Sequence, residues 1–410
     1  MLVNKPLFGK ELFAMLSAFS IVVGLYKFTF FPLLNISYIV FLISIVGYII
    51  KINVKRKSIN LSPLIFALTL TVLSVTAIVI QPTIQLNYSR IILYNGKLLL
   101  WALVLSLLIT ENFDQQTFKK LVLYIAVIAT VYLILQLLFF IFFGINLPNR
   151  LLFGLFQFTS EEGLSPLAVY RPYSFFVEPA YYGTYIVCVL AFILFDEIRL
   201  NNRKFSICLF LSIGAVMSTS TSAIIMLGVL YFLYFLKILE TIGRRGIKFS
   251  RIVFVLFLIL LIIYLLIAYE SILLSLGDFG RSILRSINKL QRLDQSARVG
   301  ASFDYLEGLE GLPLLLGSGI GNEYSFLGIP ESYMNSVTRL VLNSGYIGLA
   351  IFLIYLIYLG LKFKDYLSWF FLILYASKCY SGNAMFSLAG IFMLTFLYLR
   401  HINLSLGKEL

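Results

Sequence analysis

Histidine occurs once in 410 residues, cysteine three times, and charged side chains make up only 12% of the chain. Each shortage removes a class of function. The one histidine, His401, stands close to the C-terminus, so no histidine-ligated metal centre is expected. Cys188, Cys208 and Cys379 lie in or beside apolar segments without metal-ligand spacing, and they imply no disulfide framework. Soluble domains are about a quarter charged, so half that fraction argues against a water-soluble fold. The net charge of +13 would point to nucleic acid in a soluble protein. Here lysine and arginine in cytoplasmic loops explain it first, and no nucleic-acid partner is expected.

Apolar length is abundant instead. The chain is 60% hydrophobic, and runs such as Leu121–Phe143 and Ile252–Ala268 match the roughly 20 helical residues that cross a hydrocarbon core. The pattern predicts an all-α integral membrane protein of about twelve spanning helices. They fall near residues 11–26, 31–50, 62–80, 91–110, 120–143, 180–197, 204–217, 221–237, 251–270, 345–361, 367–380 and 384–400. No small-residue cleavage site follows the first apolar segment, which reads as a retained helix. Residues 1–410 form one polytopic membrane domain with no separate soluble part, internal repeat or low-complexity stretch.

Basic residues set the expected topology. With the N-terminus cytoplasmic, every inner loop is basic, as in "KINVKRK" (51–57), and the short outer links near 27 and 81–90 hold one cation each, Lys27 and Arg90. Both termini are then cytoplasmic. The remaining cations fall mostly in two long outer segments, 144–179 and 271–344, whose translocation is largely indifferent to charge.

In the first of these, "YRPYSFFVEPAYYG" puts Arg171 and Glu178 on a proline-broken loop among Tyr170, Tyr173, Tyr181 and Tyr182. The tyrosines fit an interfacial aromatic belt; the two charges either pair with each other or mark a substrate path. In the second, basic residues at 281, 285, 289 and 292 share one helical face, suited to the membrane surface or to an anionic cavity. Arg298 follows Asp294 at i+4, where a salt bridge is cheap, and precedes an acidic helix with Asp304, Glu307 and Glu310. "GSGIGN" (317–322) is either a tight turn or a nest whose N–H groups, with Gly317 and Gly319, cradle a phosphate. Arg339 stands about two turns before the tenth span, Lys97 within the fourth, and Lys378 near the outer end of the eleventh. Buried ions cost several kcal/mol each before pairing. An anionic ligand would offset that cost, and arginine's planar fork suits phosphate.

Three stretches in this order resemble the O-antigen polymerase and ligase family (Wzy-type), membrane glycosyltransferases of bacterial surface polysaccharide assembly. "RPYSFFVEPAYYG" looks like the family's arginine, aromatic, acidic-Pro stretch at the end of its first large external loop. "RVGASFDYLEGLEGLPLLLGSGIGN" looks like its second-loop pattern of an arginine, a short helix and a glycine turn. "NSVTRLVLNSGYIGL" is similar to its Asn-led helix entry. The resemblance implies transfer of a glycan from undecaprenyl pyrophosphate to an acceptor sugar hydroxyl at the outer face of the cytoplasmic membrane. It implies that Arg171 and Arg298 hold the pyrophosphate; beside them Tyr173, Lys97, Arg339, Asn335, Glu323, Gly317, Gly319 and Lys378 are the expected substrate-binding positions. No metal or cofactor is expected, because arginines can neutralise the leaving charge. A chain-length regulator and a flippase of the same pathway are the expected partners. Where many relatives place a histidine before the asparagine, this chain has Met334 before Asn335, so any general base is a carboxylate: Glu178 first, then Glu323 and Glu331. That departure weighs against ligase-type transfer of finished glycan. A lipid-linked oligosaccharide flippase is the alternative from another class, and it would bring charges to a central cavity from both leaflets.

Overall fold

The computed structural model describes residues 10–23, 26–28, 60–81, 86–108, 114–148, 156–158, 171–176, 178–196, 202–245, 305–306, 309–328, 334–382 and 384–405. The expected spans at 31–50 and 251–270, the basic face at 281–292, Arg298 and Glu331 lie outside these residues. In chain order the elements are α1 (Lys10–Val23), β1 (Tyr26–Phe28), α2 (Ser62–Ile80), α3 (Tyr88–Leu108), α4 (Gln115–Phe143), β2 (Phe156–Phe158), α5 (Pro179–Asp196), α6 (Asn202–Met217), α7 (Thr221–Arg245), α8 (Gly311–Leu316), α9 (Glu323–Leu327), α10 (Ser336–Phe363), α11 (Tyr366–Ser381) and α12 (Leu388–Ser405). Every other expected span therefore falls on a helix.

Helix is forced where backbone polar groups have no water to bond, and the caps decide where each helix begins. Asp114 Oδ1 accepts from Gln116 N and Thr117 N at the start of α4. Asn335 accepts from Thr338 N before α10, and Asp365 from Ser368 N before α11. Asn87 Oδ1 accepts from Arg90 N before α3. Inside the helices, hydroxyls such as Thr71, Thr130 and Thr395 donate to the carbonyl four residues back, which satisfies them without a partner helix.

α2, α3, α4, α7 and α10 are long and apolar enough to cross a membrane, and α5 and α12 carry shorter apolar stretches. Their surfaces agree with that medium. α2 exposes Ile65, Leu68, Val72, Val75 and Val79, and α4 exposes Ile128, Val131, Leu135, Leu138 and Phe142. Stripes of this kind are a liability in water and the natural face toward lipid. The buried faces carry the small polar side chains instead, among them Ser74, Ser106, Thr130 and Thr395.

Within this membrane domain the chain separates into two compact units, with the boundary inside α4. Unit 1 comprises Met1–Tyr124, Leu152–Thr159 and Leu293–Leu410; unit 2 comprises Ile125–Leu151 and Ser160–Arg292. In unit 1, α10 packs on α2, α8 and α11, and α12 packs on α1, α3 and α11. Aromatic rings fill the seams: Phe66 stacks on Tyr355 at 4.4 Å, Trp101 meets Phe386 edge-on at 5.5 Å, and Phe371 stacks on Phe396 at 5.4 Å. In unit 2, α5, α6 and α7 pack on one another.

Contacts inside each unit tie the links together. In unit 1, β1 pairs antiparallel with β2, Lys27 opposite Gln157. Gln81 Nε2 donates to Gly317 O, and Asn87 N to Asn322 Oδ1, joining the end of α2 and the start of α3 to the 317–322 turn. In unit 2, Arg171 bonds the 218–220 turn, and Lys237 Nζ bonds Phe195 O.

α10 is not one straight helix. Gly345 interrupts it at φ 62°, ψ −170°, and the sequence-predicted start of the tenth span at 345 coincides with this break. A break removes the i+4 donors that Leu342 and Asn343 carbonyls would have had. The glycine turn supplies replacements: Ser318 N donates to Leu342 O at 2.8 Å and Gly319 N to Asn343 O at 2.9 Å. The approach needs glycine on both sides. A Cβ on Gly345 would fall on the Leu315 carbonyl, and one on Gly317 on the backbone of Asn343 and Ser344.

Candidate functional site

Unit 1 gathers charge at the entry of α3. With Asn87 as the cap, Arg90, Tyr94 and Lys97 stand at i, i+4 and i+7, one helical face. The turn 317–322 delivers α9, whose first residues are Glu323 and Tyr324, and the Asn335 cap starts α10 so that Arg339 lies in its first turn. Arg339 is the hub. Its Nε stands 3.2 Å from Glu323 Oε1, and its Nη2 donates to Tyr324 Oη at 2.8 Å. Its guanidinium lies 5.7 Å from the Tyr94 ring and 5.8 Å from the Tyr324 ring. Arg90 approaches the Tyr324 ring at 5.5 Å, and Lys97 the Tyr94 ring at 5.1 Å. Each tyrosine thus serves two cations, an arrangement in which the negative ring face offsets charge. Burial pushes the Tyr324 phenol up from its usual range, with Arg339 pulling the other way, so it stays protonated at neutral pH.

The structure brings together three of the sequence-predicted positions, Lys97, Glu323 and Arg339, and adds three that the sequence reading did not select: Arg90, Tyr94 and Tyr324. Arg90 was assigned to the 81–90 link. The signal that it belongs on the helix was the Asn87 cap and the spacing of Arg90, Tyr94 and Lys97.

Glu323 is 0% exposed and Arg339 16%. A carboxylate so enclosed serves as the counter-ion of Arg339, a role that the expected one of substrate contact or base did not include. Glu323→Ala leaves a buried guanidinium without its anion and is expected to cost about 3–5 kcal/mol. Thermal unfolding in detergent measures the loss, and Glu323→Ala/Arg339→Leu is expected to recover most of it.

Several other expected positions spend backbone or side-chain groups inside the protein. Gly317 N donates to Pro313 O, Gly319 N to Asn343 O, and Ile320 N to Ser74 Oγ at 2.6 Å. These N–H groups are spent inside the protein, so the tight-turn reading of "GSGIGN" stands and the phosphate cradle of Gly317 and Gly319 falls. Asn335 spends its Oδ1 on the α10 cap. Lys378 is buried in the last turn of α11, the helix whose C-cap Gly382 accepts from Ser336 N.

Unit 2 holds Arg171. The strap 171–176 is pinned by the buried amide of Gln136, whose Nε2 donates to Ser174 O at 3.1 Å and whose Oε1 accepts from Ser174 N at 2.7 Å. Ser174 has φ 58°, a left-handed conformation that these two bonds hold in place. Phe175 and Phe176 anchor the strap, the latter edge-on to Tyr182. From this fixed strap Arg171 reaches the "STSTS" turn between α6 and α7. Its Nε donates to Thr219 Oγ1 at 3.2 Å and its Nη2 to Thr219 O at 2.9 Å. Glu178 sits half-buried at the mouth of α5, where its carbonyl accepts from Tyr181 and Tyr182 N. Tyr173 lies in the strap beside Arg171, half-buried, and its carbonyl accepts from Phe176 N. Tyr182 is fully buried and bonds Thr130 Oγ1 at 2.9 Å, which makes it a core residue and removes it from any interfacial belt.

No protein-family model matches the chain, and no curated protein matches it significantly.

Proposed function

We propose that this chain is a metal-independent glycosyltransferase that polymerises undecaprenyl-pyrophosphate-linked oligosaccharide units into O-antigen or capsular polysaccharide at the outer face of the bacterial cytoplasmic membrane, with both termini in the cytoplasm. The observation that carries the reading is Arg171, a guanidinium fixed by two hydrogen bonds to Thr219 in the turn between α6 and α7.

In the reaction, an acceptor hydroxyl oxygen bonds to the anomeric carbon of the donor sugar. The bond from that carbon to the pyrophosphate oxygen breaks, and the pyrophosphate leaves with the electron pair. Negative charge grows on the leaving group, so a preorganised cation stabilises the transition state more than the ground state. Arg171 fills that role, with Arg298 as its second-loop counterpart and Tyr173 beside it on the strap. Glu178, at the mouth of α5, takes the hydroxyl proton. A chain-length regulator and a flippase complete the set of partners.

Against ligase-type transfer, Met334 is buried in a cluster with Leu309, Tyr324, Val341 and Leu342. The position before Asn335 is therefore packing here, not a place for a base. The test is turnover by the purified protein in sealed proteoliposomes supplied with a defined lipid-pyrophosphate repeat unit. A ladder of products is expected. Translocation of unextended substrate with no ladder would replace the polymerase with a flippase.

A further inference from the structure

We propose that the turn between α10 and α11 is a docking site for an anionic phospholipid headgroup, with Lys362 and Lys364 on its phosphate and Tyr358, Tyr366 and Trp369 in the headgroup layer around it. No part of this rests on glycosyl transfer. The turn ends α10, which is long and apolar enough to cross a membrane. Three large aromatic side chains there stay uncovered: Tyr358 is 44% exposed, Tyr366 37% and Trp369 43%. Tyrosine and tryptophan settle where hydrocarbon meets headgroups, because each joins an apolar ring to a polar tip. This end of α10 therefore fits headgroup depth, and lipid is the natural cover of its aromatic rim.

The lysines select the lipid. Lys362 Nζ lies 5.6 Å from the Tyr358 ring centroid and 5.9 Å from that of Phe363, so its ammonium is drawn to the rim. Lys364 is exposed. Neither lysine is ion-paired with a carboxylate among the described residues. Asp365, next in the chain, turns its Oδ1 to Ser368 N as the cap of α11. Two ammonium groups at headgroup depth favour an anionic lipid over a zwitterionic one. The backbone marks Lys364 further. It caps α10 in the left-handed region, φ 47°, ψ 24°, and its N–H donates to Gly360 O at 3.1 Å. Glycine is the usual residue at such a cap, since a Cβ is strained there. A lysine kept at this place carries that strain, and a bound anion offsets it. Trp369 is held as well. A Cβ on Gly360 would fall on its ring, so the indole lies against the turn of α10 that carries Lys362.

The probe is phosphatidylglycerol, and the sample is the full chain in phosphatidylcholine nanodiscs with or without it. Phosphatidylglycerol is expected to raise the melting temperature saturably. Lys362→Gln/Lys364→Gly should lose at least half of that rise. In phosphatidylcholine alone the same variant should melt no lower than the native chain, because glycine relieves the left-handed cap. The two lipids thus separate lost binding from lost fold. Lys120→Gln/Arg203→Gln removes the same charge from exposed positions elsewhere and should keep the rise. The proposal is overturned if phosphatidylglycerol gives no rise, or if the first variant keeps more than half of it. A first variant that melts lower in phosphatidylcholine alone, or an equal loss in the second, overturns it too. Sugar transfer enters none of these readouts, so the polymerase reading stands or falls apart from them.

Discussion

Arg171→Ala abolishes long polymer while the protein still inserts and folds: that is the first of the two largest effects expected. Removing one preorganised donor from a developing oxyanion costs about 10²–10³ in rate, and chain growth compounds the loss over every addition. Arg171→Lys is expected to restore little. The native side chain uses two donors of a rigid fork to lock onto the carbonyl and hydroxyl of Thr219, and an ammonium on a flexible stem can reproduce neither the pair nor the orientation. The measurement is a product ladder from nanodisc turnover, with expression and melting temperature as controls. Full-length polymer from the alanine variant would remove the pyrophosphate assignment.

The second large effect is on stability. Gly345→Ala is expected to destabilise unit 1 by at least about 3 kcal/mol. Backbone at φ 62°, ψ −170° is open to glycine and costs other residues about 1–3 kcal/mol. The added methyl also falls on the Leu315 carbonyl, which is backbone and yields only by displacing the turn that caps Leu342 and Asn343. Gly96 in α3 is the control. A Cβ there meets nothing within 4 Å, so Gly96→Ala should be neutral or slightly stabilising. Equal melting temperatures for the two variants would show that the break in α10 carries no strain.

Hydropathy made most of the fold legible because a bilayer asks for little else: apolar length fixes a span, and the covered and lipid-facing sides are both apolar. Boundaries read from apolar runs start late where a cap precedes the run. The fourth span was placed from 91 and begins at Tyr88, after Asn87; the fifth was placed from 120 and begins at Gln115, after Asp114. The same habit left Arg90 in a link and off the face it shares with Lys97. Arg339, Lys97 and Glu323 were legible as charges out of place in an apolar chain. Their roles were not, because whether a carboxylate faces substrate or an arginine depends on contacts between segments far apart in sequence. The glycine turn shows the limit most plainly. Its composition allowed a phosphate nest, and only the broken α10, some 25 residues later, shows which acceptors its N–H groups meet.

The pairing of α1 with α12 has a consequence for biogenesis. Ala14, Ser17, Ala18 and Ile21 are covered in the finished protein, yet α12, which packs on α1, is made more than 360 residues later. At roughly 5–20 residues per second, α1 stands for about 20–75 s in the membrane before its neighbour emerges from the ribosome. Throughout that interval a small-residue seam is open to any passing helix, and an insertase or assembly chaperone that shields it would raise the yield of correctly closed protein.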